Sequence, residues 1–482
     1  MGNLAQIRDK YKSIPVAARA SVWYTICSVM QKGIVLLATP IFTRLMSTSQ
    51  YGIYTVYQSW YSIIIIFATL NLYCSVYNNG LTKYSNDRDR VTSSMQGLGT
   101  TITLVFAVMY IVAPDFWNRL LGLPTVLMAA MFGQLLFEPA LNFWMVRQRY
   151  EYCYRGVVTV TLFNSLASTV IGILCVMNTI EKGVARILVY AIIQTGVGVI
   201  FYIYHLVKGK HYFSKQYWKF ALKFNIPLIP HYLSYSILNQ ADRLMIGSMV
   251  GTGEAAIYSV AYTIAMMMQI VTQAIANSLT PYTYQSLKNK NYNNLKKCGN
   301  ILLLMMGIVC VIVMLFAPEV LRLFASVEYI SAVYVMPPVV ASTFFLFLYP
   351  LFSNIEFYFE KTKFIMVASS SGAVVNIILN YIFIPIYGYY AAGFTTLFCY
   401  ILFSIAHYYF YKRIMRQELP EVGELYDIKT VISISMIILV CTIGSMFLYS
   451  YTVVRYTIIL VLIVGMILKK DIFVGQLESM KK

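Results

Sequence analysis

The sequence predicts an all-α polytopic membrane protein with about fourteen transmembrane helices. Hydrophobic residues make up 59% of the chain and charged residues only 12%, whereas a soluble domain carries about 25% charged residues. Apolar stretches recur from end to end, and each has the length of about 20 residues that a helix needs to span a bilayer. Lysine and arginine are concentrated in every second gap between these stretches.

Each predicted element is an apolar stretch bounded by polar or charged residues. Backbone groups in lipid must be hydrogen-bonded within their own segment, so we expect helices. A β-barrel would need short segments of alternating polarity, whereas residues 63–67 and 301–316 are continuously apolar. The predicted spans are residues 16–40, 53–77, 93–113, 121–145, 157–177, 186–206, 222–247, 256–278, 299–317, 333–357, 364–384, 390–410, 430–450 and 453–468.

The basic residues predict the orientation of these spans. Four cations fall within the first four residues of a predicted span and are counted with the preceding gap: Arg19, Arg186, Lys223 and Arg455. On this count, 29 of the 37 lysine and arginine residues lie in alternate gaps that include both termini, and six lie in the other gaps. The positive-inside rule therefore predicts both termini in the cytoplasm. The net charge of +18 follows from this topology and from contact with anionic lipids, and it does not indicate nucleic-acid binding. The remaining two cations, Lys32 and Arg243, lie inside predicted spans.

The chain reads as one membrane body, without a soluble domain or a cleaved signal peptide. The division we predict is an N-terminal six-helix lobe at 1–206, a second at 207–410, and a connector with helices 13 and 14 at 411–482. The eight cysteines are scattered singly, so we expect neither a metal site nor a disulfide framework. The sequence lacks the GxxxxGK[ST] motif of ATP-hydrolysing proteins, and we expect no cofactor.

A weak internal repeat relates the two predicted six-helix lobes. After the first span the chain carries Arg44-Leu-Met and then Ile53-Tyr54. At the end of the seventh span it carries Arg243-Leu-Met and then Ile257-Tyr258. Because six spans is an even number, the lobes would be parallel repeats related by an axis along the membrane normal. In a transporter built this way, alternating access by rocking of the two bundles is the default mechanism.

Three stretches of this sequence resemble the bacterial polysaccharide transporters, the O-antigen and capsule repeat-unit flippases of the multidrug/oligosaccharidyl-lipid/polysaccharide exporter superfamily. The first is Thr39-Pro-Ile-Phe-Thr-Arg-Leu-Met with Tyr51-Gly-Ile-Tyr. The second runs from Ile226-Pro-Leu-Ile-Pro-His to Ala241-Asp-Arg-Leu-Met-Ile-Gly and Ala256-Ile-Tyr-Ser-Val-Ala-Tyr. The third comprises Lys361-Thr-Lys, Val375-Asn-Ile-Ile-Leu-Asn-Tyr-Ile-Phe-Ile-Pro-Ile-Tyr-Gly and Ala391-Ala-Gly-Phe-Thr-Thr-Leu.

The resemblance implies two pseudo-symmetric six-helix lobes plus two C-terminal helices in the bacterial plasma (inner) membrane. It implies a flippase that moves undecaprenyl-pyrophosphate-linked oligosaccharide repeat units from the inner to the outer leaflet. Its expected partners are that lipid-linked oligosaccharide, membrane lipids, H⁺ or Na⁺, and the polysaccharide polymerase and chain-length machinery. The alternatives are a lipid II flippase, a cation-coupled drug antiporter of the same superfamily, or a membrane glycan polymerase. We expect a transporter rather than an enzyme, because the outward gaps are too short for two substrates and a catalytic centre.

Ionisable groups inside a bilayer cost roughly 2.5–3.5 kcal/mol or more and therefore indicate function. Lys32 lies in a polar stripe along the first span. The stripe indicates a cavity wall in which the lysine binds pyrophosphate; the alternative is a lysine that snorkels to the surface. Helical spacing places five residues near this face: Thr25, Ser28, Lys32, Thr39 and Thr43.

The seventh span carries the matching candidates. The repeat offset places His231 opposite Lys32, where it could titrate or simply hydrogen-bond in the core. We assign His231, Tyr235 and Asn239 to a substrate cavity. Asp242 is a candidate cation site or gate partner, and Arg243 is either a gating residue or an interfacial anchor.

The fourth span carries the third set. Gln134, Glu138 and Asn142 recur every four residues, and Pro139 frees a backbone carbonyl beside the glutamate. We interpret Glu138 as a proton or sodium site, with Gln134 and Asn142 in the cavity; a purely structural kink is the alternative.

Several other polar residues read as structural. Glu356 and Glu360 read as end-of-helix charges, and His205 and His407 as interfacial residues. For Asn376 and Asn380, bonding across helices is favoured over sugar contact.

Overall fold

A computed structural model describes residues 15–361 and 363–469, and its regular secondary structure within these ranges is helical. The chain divides into two compact units, one ending at Leu233 and the other beginning at Ser234. The helices up to this boundary are α1 Val16–Leu45, α2 Thr48–Thr69, α3 Ser75–Lys83, α4 Arg88–Val112, α5 Pro114–Leu121, α6 Thr125–Tyr150, α7 Tyr154–Met177, α8 Lys182–Gly209 and α9 Lys215–Asn225. The boundary falls within α10 Ile229–Met249, and the rest are α11 Thr252–Ala265, α12 Met268–Lys288, α13 Tyr292–Leu315, α14 Ala317–Phe324, α15 Met336–Tyr358, α16 Lys363–Tyr387, α17 Tyr389–Glu418, α18 Ile428–Leu448 and α19 Thr452–Leu468.

The predicted all-α polytopic fold class is confirmed. Eleven of the fourteen predicted spans each correspond to one helix, namely α1, α4, α6, α7, α8, α13, α15, α16, α17, α18 and α19. The other three cross a helix break: span 53–77 covers α2 and the start of α3, span 222–247 covers the end of α9 and most of α10, and span 256–278 covers most of α11 and the first half of α12. Among the described residues, 11 helices are long and apolar enough to cross a membrane. Of the remaining helices, α19 is apolar but only 17 residues long, while α2 and α10 carry more polar side chains.

The seventh predicted span begins later than expected. The sequence pattern places its start at residue 222, but the chain forms the short helix α9, a 3₁₀ turn at Ile226–Leu228, and then α10. Pro227 and Pro230 explain the interruption, because proline removes a backbone donor and is accommodated in the first turn of a helix. Helix α9 buries Tyr217, Ala221 and Asn225 against the first unit.

The first unit packs around two apolar clusters. Tyr57, Tyr61 and Leu135 belong to the larger one, which lies between α2 and α6. Helices α6 and α8 approach closely at Gly198, where an added Cβ would lie 2.5 Å from the carbonyl carbon of Phe137. This close contact fixes the backbone beside Glu138.

The second unit is organised around α15. Most of this helix is buried, and it packs against α12, α13, α17 and α18. Helix α18 packs against α13 and α15 of the same unit. Helix α19 is attached through Arg455, which donates two 2.8 Å bonds to the carboxylate of Glu319 and one 2.7 Å bond to the carbonyl of Leu315. The division at 1–206, 207–410 and 411–482 remains a prediction, and the predicted cytoplasmic termini lie outside the described residues.

Candidate functional site

The first unit encloses a polar cavity with a volume of about 260 Å³. It lies among α1, α2, α6, α7 and α8, and amide, hydroxyl and charged side chains interrupt an otherwise apolar bundle. The residues around it are Gln31, Val35, Ala38, Phe42, Tyr54, Glu138, Leu141, Asn142, Met145, Thr161, Asn164, Ser165, Ser168, Thr169, Arg186, Tyr190 and Gln194.

Helix α6 presents its polar row to this cavity. Glu138 and Asn142 line it, whereas Gln134 is fully buried behind Glu138. The Tyr61 hydroxyl donates a 2.7 Å bond to Glu138 Oε2, and Gln134 Nε2 donates a 3.3 Å bond to the same oxygen. Tyr57 in turn donates a 2.6 Å bond to Gln134 Oε1. Of the three residues predicted from their four-residue spacing, Gln134 and Glu138 are therefore joined by a hydrogen bond, and Asn142 lines the same cavity.

The cavity also contains an arginine that the sequence pattern assigns to an outward-facing gap. The Arg186 guanidinium carbon lies 3.8 Å from the ring centroid of Phe42 and 3.7 Å from that of Tyr54, and Tyr51 is 4.7 Å away. Such cation–π contacts stabilise a partly buried cation. Arg186 Nη1 is buried and has no hydrogen-bond partner among the described residues.

A pair of amides forms another part of the cavity wall. Asn164 Nδ2 on α7 donates a 2.8 Å bond to Gln194 Oε1 on α8. In the described part of the chain, the buried Asn164 Oδ1 accepts no bond. Buried polar atoms normally have partners, so this oxygen and Arg186 Nη1 are two unsatisfied groups on residues that line one cavity.

The polar stripe of α1 divides into two parts. Thr25, Ser28 and Lys32 are exposed. Thr39 and Thr43 are buried, and their hydroxyls bond to backbone carbonyls of the same helix. The cavity reaches the surface beside the exposed part, since Gln31 and Val35 line the cavity and are themselves exposed.

The candidate substrate-binding residues on α10 differ in their exposure. His231 and Tyr235 are exposed. Asn239 is half-buried; it donates a 2.7 Å bond to the Tyr235 carbonyl and accepts a 3.4 Å bond from Tyr262.

Asp242 forms the centre of a second buried network, within the second unit. Its carboxylate is 2% exposed. Oδ2 accepts bonds of 2.6 Å from Tyr258 and 2.8 Å from Thr396, and Oδ1 accepts a 2.6 Å bond from Asn380 Nδ2. Asn380 also contacts Asn376 and Thr395. Four elements, α10, α11, α16 and α17, therefore converge on one carboxylate.

Arg243 does not pair with Asp242. Its Nη1 donates a 2.8 Å bond to Gln240, and its guanidinium carbon lies 4.8 Å from the Tyr262 ring. Adjacent residues of a helix point about 100° apart, and the direct hydrogen bonds to the buried carboxylate come from neutral donors.

Two interpretations of helix-end residues are wrong. Glu356 and His407 are both fully buried, with Glu356 Oε1 2.7 Å from His407 Nδ1. His205 is also buried and lies 2.8 Å from Gln96 Oε1. Proximity to a predicted span end does not reveal which side of the helix is covered, and these residues face neighbouring helices.

Comparisons with known proteins agree with this architecture. A family model described as "Polysaccharide biosynthesis protein" matches residues 17–287, and one described as "MatE" matches residues 227–382. The chain is 22% identical to the Lsg locus putative protein 1 of Haemophilus influenzae over 371 residues, covering 74% of this chain and 88% of that protein.

Two solved structures share the fold. The lipid II flippase MurJ in its inward closed conformation aligns with a TM-score of 0.65 at 16% identity, covering 94% of this chain and 100% of that chain. An inward-facing multidrug resistance MATE transporter of the MOP superfamily aligns with a TM-score of 0.60 at 17% identity, covering 83% and 99%.

Proposed function

Because this chain belongs to the polysaccharide biosynthesis protein family, we propose that it moves lipid-linked oligosaccharides across the plasma membrane. The substrate is an undecaprenyl-pyrophosphate-linked repeat unit, turned from the inner to the outer leaflet by alternating access. The observation that carries this proposal is the polar cavity of about 260 Å³ within an apolar helix bundle. A lipid-bound glycan needs such a surface, because polar groups entering hydrocarbon without partners cost several kcal/mol.

Lys32 is the residue we assign to the pyrophosphate. Lys32 is exposed on α1 and follows Gln31, which lines the cavity, but Lys32 is not itself among the lining residues. An ammonium can hold a phosphate as a point charge, while the amides and hydroxyls deeper in the cavity suit sugar hydroxyls. Thr25 and Ser28 extend the same exposed face, and we propose that His231, Tyr235 and Asn239 make further substrate contacts.

The experiment that tests this function is translocation in proteoliposomes. Purified protein is reconstituted with a lipid-linked oligosaccharide, and the sugar on the outer leaflet is oxidised with membrane-impermeant periodate over time. We expect the accessible fraction to rise only with active protein. Lys32→Ala should abolish the rise and Lys32→Arg should retain part of it; normal transport by Lys32→Ala would refute the pyrophosphate role.

We propose that transport is coupled to H⁺ or Na⁺ at Asp242, with Glu138 as a second ion-responsive group and Arg243 as a gating residue. The buried Asp242 carboxylate, with three neutral donors and no paired arginine, supports a cation site, because binding a cation offsets the cost of burying the charge.

Ion dependence tests this coupling directly. Translocation is measured with an imposed Na⁺ gradient and, separately, an imposed pH gradient. Asp242→Asn should remove the response to one of them, whereas the exposed control Asp115→Asn should retain it. If Asp242→Asn responds to both gradients as the wild type does, Asp242 is not the coupling site. A pH response that survives Glu138→Gln would exclude Glu138 as a proton carrier.

A lipid II flippase is the second candidate, favoured by the likeness to the flippase MurJ over the whole of that chain. The two candidates differ in the glycan. Competition in the same proteoliposomes between lipid II and an undecaprenyl-pyrophosphate oligosaccharide decides between them. We further propose that a polysaccharide polymerase and chain-length machinery use the product at the outer surface.

A further inference from the structure

We propose that the cavity of the first unit is a subsite for a single sugar residue that carries a carboxylate, held by the edge of Arg186. This inference rests on the proposed function, because the sugar would be one residue of the translocated repeat unit. The side chains that carry it are Arg186, Asn164, Gln194, Asn142 and Glu138.

The charge of Arg186 is the first step of the argument. Its guanidinium carbon packs against the rings of Phe42 and Tyr54, at 3.8 Å and 3.7 Å from their centroids. The edge of the guanidinium carries the N–H groups, and its buried Nη1 has no partner among the described residues. Such an edge is the planar donor pair that binds a carboxylate through two parallel bonds. No acidic side chain in the described part of the chain forms an ion pair with it.

The remaining wall suits sugar hydroxyls. Asn164 Oδ1 is an open acceptor, and Asn142 and Gln194 add amide groups. Glu138 Oε2 already accepts bonds from Tyr61 and Gln134, which leaves Oε1 to accept from a hydroxyl. Tyr54 and Tyr190 supply aromatic surface for the apolar face of a sugar ring. The wall thus combines donors and acceptors around one guanidinium.

Size and charge limit the ligand further. The volume of about 260 Å³ is below the roughly 300–1,000 Å³ of pockets for drug-sized ligands, so the cavity fits one residue of a glycan and not the whole repeat unit. A pyrophosphate carries more negative charge than one guanidinium balances, whereas a single carboxylate matches it. A monoanionic sugar is the better match.

Binding of free sugars tests the subsite without requiring transport. Purified protein in nanodiscs is titrated with D-glucuronate, D-glucose and inorganic pyrophosphate by isothermal calorimetry. We expect glucuronate to bind at least 10-fold more tightly than glucose, and pyrophosphate not to displace it. Equal affinity for glucuronate and glucose, or preferential binding of pyrophosphate, would overturn the proposal.

Variants show whether Arg186 is responsible. Arg186→Gln should remove the preference for glucuronate over glucose, and Arg186→Lys should retain that preference only in part. Asn142→Ala should lower the affinity for both sugars by the same factor. The exposed Arg119→Gln is the matched control and should bind as the wild type does. Thermal unfolding checks that each variant is folded; if Arg186→Gln does not fold, the Arg186→Lys comparison decides, and undiminished glucuronate preference in it would overturn the proposal.

The two proposals fail in different ways. If proteoliposomes translocate no lipid-linked oligosaccharide while glucuronate binding depends on Arg186, the transport function is wrong and the subsite stands. If translocation occurs at the same rate for repeat units with and without a uronic acid, in wild type and Arg186→Gln alike, the subsite is wrong and the transport function stands.

Discussion

The close contact between α6 and α8 makes a quantitative prediction about Gly198. A Cβ at this position would lie 2.5 Å from the carbonyl carbon of Phe137 and 2.9 Å from the amide nitrogen of Glu138. Carbon atoms in contact are normally about 3.5–4.0 Å apart, so Gly198→Ala must push the two helices apart by about 1 Å. Overpacking of this kind costs about 1–3 kcal/mol.

Gly196 provides a matched control on the same helix. A Cβ there would meet nothing within 4 Å, so Gly196→Ala adds the same methyl group without a clash. Both substitutions change the intrinsic helix propensity by the same amount, about 1 kcal/mol in water. The difference in unfolding free energy between the two variants therefore isolates the steric cost, about 1–3 kcal/mol.

The assay is thermal unfolding of the purified variants in one detergent, followed by tryptophan fluorescence, with translocation measured in parallel. Gly198→Ala should unfold several degrees below Gly196→Ala. It should also transport more slowly, because the displaced backbone carries Glu138. Equal unfolding midpoints for the two variants would refute the close packing of α6 on α8.

The remaining predictions concern the second unit. Arg455→Met should lower the unfolding free energy by about 2–4 kcal/mol, because it leaves the Glu319 carboxylate of a largely buried ion pair without its cation. An unchanged midpoint in thermal unfolding would contradict this. Burial raises the pKa of Glu319, but hydrogen bonds from Arg455, from the backbone and from Tyr456, together with the charge of Arg455, outweigh the effect of burial and hold that pKa below its ordinary value. The stabilisation is therefore present at neutral pH and lost as the pH falls through the lowered pKa, and the Arg455→Met variant should lose less stability in acid than the wild type. Glu356→Gln should destabilise less than Glu356→Ala, because the amide can still bond His407; equal unfolding midpoints would argue against that buried pair.

Much of the fold follows from composition and charge, for reasons that are local. Helices α13, α15 and α18 are long apolar runs between polar gaps, so their existence follows from the lengths of those runs. Helix ends are less predictable. The pattern could not separate α9 from α10, because their junction contains Ile226, Leu228 and Ile229, which continue the apolar run through the proline break.

The candidate sites were predictable only where one helix carries the signal. Gln134, Glu138 and Asn142 share a face by spacing alone, and the structure brings them to one cavity or its immediate wall. The partners of Asp242 were not predictable, because Tyr258 and Thr396 come from other helices, 16 and 154 residues away. Side-chain networks across helices depend on long-range packing that a single sequence does not reveal.

Two arginines, Arg186 and Arg455, show what the charge pattern does not predict about side chains near span ends. Arg186 and Arg455 were both counted among the six cations of the outward gaps, yet each lies within the first turns of a helix. Arg186 turns toward the rings of Phe42 and Tyr54, and Arg455 toward Glu319. A long basic side chain near a span end can reach either solvent or the protein interior, and the sequence does not indicate which. The orientation therefore remains a prediction from the charge pattern, while these two arginines mark the cavity and the attachment of α19.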